Sequence, residues 1–371
     1  MIGINRRSLL KDGLASRCWL QRVTHTGFTL IELLVSMAVF TVVLITTSSL
    51  LSVSLRELRF AESRMGQFQE AQSAFESMSR RLVGCELNPY YGFVYPNNDT
   101  TKVPTQFALQ SELHFICGPC NTGTQPLFAS GSLPPRPTHG LFFHGTYGLT
   151  DNTSWKAMSN LLNSWGYYLE FGTDGTDRAA FLKTDTVVAE RYRFRLKELQ
   201  VSAEQLRTYK IDINKIGITA SDVFKWFRDT AAATPSAGRT IAENIVALVI
   251  TPLKSDPVTG TNVDLSPDYY YDSRAYQYTA LSQTRLDQMR HRIPPLVRIT
   301  MVGLDEPSAS RLADVSKTTA PDLSLATLFA DASKYDDDLT TLKNTLQGKK
   351  LNYRVFTTTV RLRNSRWTGS Y

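Results

Sequence analysis

Gly27-Phe28-Thr29-Leu30-Ile31-Glu32-Leu33-Leu34 is the stretch from which the rest of this 371-residue chain is read. It opens an apolar run from Phe28 to about Leu55 that contains one charge, Glu32. As a helix rising 1.5 Å per residue, the run would be roughly 42 Å long, more than the roughly 30 Å hydrocarbon core of a bilayer. It is rich in Val, Ile, Thr and Leu and holds neither proline nor glycine. A single carboxylate near the start of a membrane-length segment is costly to bury unless something pairs with it. Ahead of the run, residues 1–27 set Arg6, Arg7, Lys11, Arg17 and Arg22 against Asp12. A positive flank of this kind is held on the cytoplasmic side.

Several targeting signals compete for this segment. An ordinary secretory signal has an apolar core of about 7–15 residues and a small-residue cleavage site after it, and this run is too long. A plain signal anchor fits the length but gives no reason for the Gly27-Phe28 junction or for Glu32. Asn5-Arg6-Arg7-Ser8-Leu9-Leu10-Lys11 has the lettering of a twin-arginine signal, but Asp12, Arg17 and Arg22 stand where an apolar core should follow. Gly27–Leu34 resembles the processing and methylation site of type IV pilins and type II secretion pseudopilins. That resemblance implies cleavage after Gly27 by a prepilin peptidase and methylation of the new α-amine on Phe28. It also implies that Glu32 pairs with the Phe28 amine of a neighbouring subunit during assembly. A charge-assisted hydrogen bond would relieve both charges in lipid. The leader is long for a type IV pilin, and the absence of a proline implies a straight helix.

Past the membrane segment the helix is expected to continue. Leu55, Leu58, Ala61, Met65, Phe68, Ala71, Phe75, Met78 and Leu82 recur at three- and four-residue steps among charged residues, the mark of one buried stripe. Gly84 and Pro89 supply the stop. The domain reading is a leader at 1–27, a transmembrane helix at 28–55, an amphipathic helix at 56–84 and an extracytoplasmic globular domain at 85–371. Within that domain 85–111 reads as turn-rich. Strand patterns fall at 113–117, 140–147, 165–171, 191–199, 245–253, 296–304 and 353–363. Helical patterns fall at 202–230, 273–290 and 308–348. The order Glu243-Asn244-Ile245-Val246-Ala247-Leu248, Pro294-Pro295-Leu296-Val297-Arg298-Ile299-Thr300 and Phe356–Asn364 is similar to the closing strands of large J-type pseudopilins and W-type minor pilins. Taken together the chain most resembles the large prepilin-like C component of the four-gene cassettes of Verrucomicrobia. The implied class is α+β: a pilin-like fold whose long N-terminal helix packs on an antiparallel sheet carrying large loop and helical insertions.

A hydrophobic content of 42% with 11% aromatics supports a substantial core. The net charge of +7 owes much to the leader, and no Lys/Arg tract with interleaved aromatics follows it, so no nucleic-acid partner is expected. Cys18 lies in the leader, leaving Cys85, Cys117 and Cys120 as candidate disulfide partners, with one thiol left over. Cys117-Gly118-Pro119-Cys120 copies the thioredoxin dithiol, but Asn121–Pro126 is a poor helix where that chemistry needs a helix N-terminus. A structural role for these cysteines is expected. The histidines form no metal-protease pattern, and His139 and His144 read as polar residues at the edges of a strand. No cofactor or metal is expected. Calcium is the one candidate, through Asp174 and Asp177, because some pseudopilins hold calcium in acidic loops. No nucleophile elbow, P-loop or dinucleotide fingerprint is present, so the chain is read as a non-enzyme.

The functional expectation is a minor pseudopilin or pilin-like subunit that assembles into or primes a type II secretion or type IV pilus-like filament. Its partners would be the prepilin peptidase, other pseudopilins or pilins, the inner-membrane assembly platform and membrane lipid. It would cross the inner membrane once, N-terminus cytoplasmic and globular domain periplasmic. The rival expectation is a membrane-tethered periplasmic enzyme or binding protein that uses the prepilin segment as an anchor.

Overall fold

The computed structural model describes residues 29–96, 99–123, 125–129, 134–175, 177–183, 189–208, 218–232, 238–256, 259–278, 281–316 and 318–367. Helix α1 spans Leu30–Val83. The chain divides into two compact units, residues 1–60 and 61–371, so the boundary falls inside α1.

In the first unit, Leu30–Arg59 is the one helix among the described residues that is long and apolar enough to cross a membrane. Its large apolar side chains are exposed. Its hydroxyls fold back on the helix's own carbonyls: Ser36 on Leu33, Thr41 on Ala38, Thr47 on Val43, Ser49 on Ile45 and Ser52 on Ser49. A hydroxyl satisfied in this way can enter hydrocarbon without an orphaned donor. The serines and threonines of the run are therefore compatible with a spanning helix.

The second unit is built on the end of α1 and three antiparallel sheets. A hairpin pairs β1 (Tyr90–Val94) with β2 (Gln106–Gln110). A six-stranded sheet runs in the order β10-β3-β4-β5-β6-β7. Its strands are β3 (Ile116–Pro119), β4 (His139–Thr146), β5 (Leu162–Thr173), β6 (Tyr192–Val201), β7 (Gly238–Glu243) and β10 (Tyr271–Asp272). A four-stranded sheet runs β12-β11-β8-β9. It comprises β8 (Ile245–Ser255), β9 (Asn262–Asp264), β11 (Leu296–Leu304) and β12 (Tyr353–Arg361). Helices α2 (Ala180–Lys183), α3 (Ala220–Ala232), α4 (Gln283–Met289), α5 (Glu306–Ser316) and α6 (Tyr335–Gly348) lie between the strands in sequence.

Three buried clusters join these elements. The first gathers Ala71, Ala74, Phe75, Met78 and Leu82 of α1 with Leu141, Phe143 and Trp165 of the larger sheet and Ile245, Leu248, Ile299 and Phe356 of the smaller. The second places Leu312 of α5 and Leu339, Leu342 and Leu346 of α6 against Val246, Val249 and Val302. The third seats Val223, Phe224, Trp226 and Phe227 of α3 on Phe142 and Tyr168. Neighbouring residues of β8 thus serve different clusters, Ile245 the first and Val246 the second. A strand buried on both faces needs the near-continuous apolar run that Ile245–Leu253 supplies.

The α+β class holds, and β11 coincides with the 296–304 pattern. The patterns at 140–147, 165–171, 191–199, 245–253 and 353–363 fall on β4, β5, β6, β8 and β12 with shifted ends, whereas others misled. Leu55, Leu58 and Ala61 are exposed, and among the stripe residues whose side chains are described the first to be covered are half-buried Phe68 and buried Ala71. Residues 85–111 hold a hairpin of β1 and β2, not only turns, with Gly92 interrupting one strand and glutamines at both ends of the other. The strand expected at 113–117 sits at Ile116–Pro119, and the helix expected over 273–290 is confined to Gln283–Met289 with a short turn at Ala275–Gln277. The six-residue β7 was not anticipated.

Gly166 shows how tight the third cluster is. It pairs across the ladder with Phe142, whose ring stacks on Phe227 at 4.2 Å between centroids. A Cβ at Gly166 would lie 2.2 Å from Phe142 Cδ1. Gly166→Ala is expected to destabilise the chain by roughly 1–3 kcal/mol, the usual cost of overpacking. Denaturant titration of the detergent-solubilised protein checks this, and unchanged stability would refute the close approach.

Candidate functional site

Thr29 and Glu32 form a reciprocal cap at the start of α1. Thr29 donates to Glu32 Oε2 through both its backbone N–H and its Oγ1, each at 3.0 Å, while Glu32 N–H donates back to Thr29 Oγ1 at 3.3 Å. This is a capping box, Ser/Thr followed three residues later by Glu, and it satisfies donors that a helix start leaves open. The positive end of the helix dipole also favours a carboxylate here. Both Thr29 donors use Oε2, so Oε1 has no hydrogen-bond partner among the described residues. Thr29 was not singled out from sequence, although T-x-x-E ahead of an apolar run is a readable signal. Gly27 and Phe28 lie outside the described residues, as does Cys18, so the cleavage point and the Phe28 amine have no geometry here.

The end of α1 is fixed by charge as well as by apolar contact. The Arg81 guanidinium lies 4.0 Å over the Trp165 ring, and its Nε is 3.6 Å from Glu198 Oε1. Glu198, 1% exposed, also accepts from Trp165 Nε1 at 2.9 Å, Tyr167 Oη at 2.8 Å and Arg239 Nη2 at 2.9 Å. A buried carboxylate with this many donors is held without an uncompensated charge.

The other chemistry-bearing side chains are buried too. His114 Nδ1 accepts from Trp226 Nε1 at 3.0 Å, so its proton sits on Nε2 and is donated to Asp272 at 2.6 Å. Asp272 accepts as well from Tyr270 Oη at 3.0 Å, from Tyr278 Oη and from Arg274 N–H at 2.6 Å. His139 opens β4 and His144 lies within it, and both are buried where an exposed polar edge was expected. His139 Nε2 donates to the Phe329 carbonyl at 3.0 Å and Nδ1 accepts from Ile250 N–H at 3.1 Å, tying β4 to β8. His144 bonds the His114 carbonyl at 2.9 Å and the Thr208 hydroxyl. Burial lowers both histidines, His139 to about 4 and His144 to about 3.

Cys85, Cys117 and Cys120 are buried and stand as free thiols in this structure. Cys117 packs in the first cluster with Cys85, whereas Cys120 packs in the third with Phe128 and Phe142, so the C-x-x-C pair is split between two cores. Burial pushes Cys85 and Cys117 well up, and Cys120 up to about 12, opposite to the lowered thiol of a dithiol oxidoreductase. The acidic turn is engaged by cations. Asp174 accepts from Arg178 Nε at 2.9 Å and Arg191 N–H at 2.9 Å, and Asp177 takes Lys197 Nζ at 3.4 Å and Thr240 Oγ1 at 2.6 Å. Among the described residues no group of three His, Cys, Asp or Glu is arranged to hold a metal ion.

Residues 24–48 match the family model of the prokaryotic N-terminal methylation motif. No curated protein and no solved structure matches the chain. With the apolar helix that begins at Leu30, the motif supports a type IV prepilin-like protein, a substrate of prepilin peptidase with pilin-like partners in general.

Two outcomes follow from the buried groups. The unfolded chain protonates its histidines below pH 6.5, whereas the folded chain does so only near 4 at His139 and near 3 at His144. The unfolded state therefore binds more protons in that window. Stability should fall as pH drops from 6.5 towards 4, by on the order of 1.4 kcal/mol per pH unit for each histidine. A melting-temperature series against pH checks this, and His139→Gln should flatten the slope. In the folded protein Cys85, Cys117 and Cys120 should resist iodoacetamide. All three should alkylate once the chain is unfolded without reductant, as read by peptide mass spectrometry, and a bridged pair would stay unlabelled.

Proposed function

We propose that the chain is a minor pseudopilin or pilin-like subunit that assembles into, or primes, a type II secretion or type IV pilus-like filament, and is not an enzyme. The observation that carries this reading is the methylation motif at 24–48 followed by a membrane-length apolar helix with Glu32 in its first turn. On this reading Gly27 is the residue before the cut, and Phe28 begins the mature chain with a methylated amine. Glu32 accepts the Phe28 amine of a neighbouring subunit through the oxygen that Thr29 leaves free. The partners are the peptidase, other pseudopilins or pilins and the inner-membrane assembly platform. The chain crosses the inner membrane once, with the second unit in the periplasm.

On this reading the buried titratable groups serve the fold. His114, His139, His144 and His291, the histidines among the described residues, are all buried. Asp272 and Glu198 are enclosed as well, each bonded on both oxygens.

Glu32→Val tests the assembly step. It should leave the protein cleaved and membrane-inserted, since an apolar residue makes the span more lipid-compatible. Co-purification with other pilin-like subunits should drop by about tenfold or more, the loss of one charge-assisted bond in lipid. Normal co-purification would sink the pairing. Intact mass of the processed protein should start at Phe28 with one added methyl, and a start elsewhere would move the site.

A further inference from the structure

We infer that the free edge of β12 is a pairing site for an extended acidic strand of another protein. Four strands form the outer edges of the two larger sheets, and three of them are protected. β10 has two residues and β9 three. β7 has six, and its register shifts where Leu196 and Lys197 of β6 face Ala242 and Thr240. Short edge strands and bulges are the usual defences of a sheet edge. β12 has neither: its nine residues Tyr-Arg-Val-Phe-Thr-Thr-Thr-Val-Arg pair with β11 in unbroken register. They contain no proline and are dominated by residues that favour extended backbone.

The ladder itself shows which groups are free. Leu362 N–H donates to the Pro295 carbonyl at 3.1 Å, and Asp305 N–H donates to the Asn352 carbonyl at 3.3 Å. Both pairs continue the register that sets Thr358 opposite Ile299. Bonded pairs alternate along an antiparallel ladder, so the even-numbered residues of β12 bond β11. The N–H and C=O groups of Val355, Thr357, Thr359 and Arg361 point the other way. Among the described residues no protein group bonds them. They form a row of backbone donors and acceptors that an added strand would satisfy, with side-chain contacts left to set specificity.

Charge selects the occupant. From Lys349 to the end of the chain there is no acidic residue, while Lys349, Lys350, Arg354, Arg361, Arg363 and Arg366 are all exposed. None of these cations has an acidic partner among the described residues. A second copy pairing antiparallel through the same edge would set a strand that carries two arginines and no acidic residue beside another of the same charge, and like charges across a strand pair are unfavourable. A strand with acidic side chains gains both the ladder and the charge.

The test uses the full chain in neutral detergent and two nine-residue peptides, one alternating Glu with Val and one alternating Lys with Val, read by fluorescence anisotropy. The Glu peptide should bind, more weakly at high salt, and the Lys peptide should not. Thr359→Pro removes one outward N–H from an exposed edge position, where proline is tolerated. It should weaken Glu-peptide binding by about tenfold or more with an unchanged melting temperature. If that variant fails to fold, the surface double variant Arg361→Glu, Arg363→Glu carries the test and should abolish the preference for the Glu peptide. Equal binding of the two peptides, or full binding by both variants, overturns the inference. So does a dimer in sedimentation that Thr359→Pro dissociates, since the occupant would then be a second copy. Binding confined to phosphatidylglycerol vesicles would make the edge a lipid-facing cation patch and overturn it equally.

Discussion

The second unit depends on one constraint: the last four turns of α1 must be buried by two sheets at once. Ala71, Ala74, Phe75, Met78 and Leu82 recur at three- and four-residue steps and share the cluster that holds Trp165 of one sheet and Ile299 of the other. Burying a large apolar side chain contributes roughly 1.5–3 kcal/mol, so this short stripe outweighs any single polar contact nearby. Orientation comes from the polar contacts. Arg81 lies on Trp165 and against Glu198, and the Arg81 carbonyl, open at the helix end, accepts from Tyr147 Oη at 2.7 Å and Gly84 N–H at 3.0 Å. Asn364, near the other end of the unit's sequence, donates to the Cys85 carbonyl at 2.9 Å. The helix exit is thus closed by residues from both halves of the sheet-forming sequence, and the stripe cannot slide without opening those bonds.

The same economy governs the interior of the sheets. His114, His139, His144 and Asp272 would each be a liability if left unpaired in an apolar core. His139 instead supplies the acceptor for Ile250 N–H and a donor for the Phe329 carbonyl, linking β4 with β8 and the segment ahead of α6. Asp272 collects a histidine, two tyrosines and a backbone amide. His139 thus does the work of a backbone hydrogen bond between β4 and β8, strands of different sheets with no ladder between them.

How much of this was legible depended on whether the signal was local. The apolar run, Glu32 and the Gly27-Phe28 junction sit in one contiguous stretch, and 296–304 reads as a strand because its apolar residues, several of them β-branched, are interrupted only by Arg298 and Thr300. The stripe of α1 was legible in period but not in extent: Leu55 and Leu58 keep the spacing yet meet no sheet. The hairpin of β1 and β2 was hidden because its partners are chosen by pairing, not by pattern. The histidines of β4 looked like edge residues because their bonding partners, Ile250, Phe329 and Thr208, are distant in sequence. The cysteines misled for a related reason. Spacing places Cys117 and Cys120 close along the chain, but only the fold shows that they enter different clusters.

Glu198 and Glu32 make the final contrast. Both are carboxylates on segments that leave water, and the cost of an unpaired charge there is several kcal/mol. Glu198 meets that cost within its own chain, with Arg81, Arg239, Trp165 and Tyr167 around it. Glu32 does not. Its neighbours Ile31, Leu33 and Leu34 are apolar, no cation follows on the helix until Arg56, and the Thr29 cap occupies a single oxygen. A neutral hydroxyl and an amide reduce the penalty of a buried carboxylate but do not cancel its charge. In lipid, a cation from outside the helix is therefore what the proposed amine pairing provides, and the cap orients the free oxygen's side chain in advance. The cheaper alternative, an apolar residue at position 32, would remove the cost and with it any force that selects a partner.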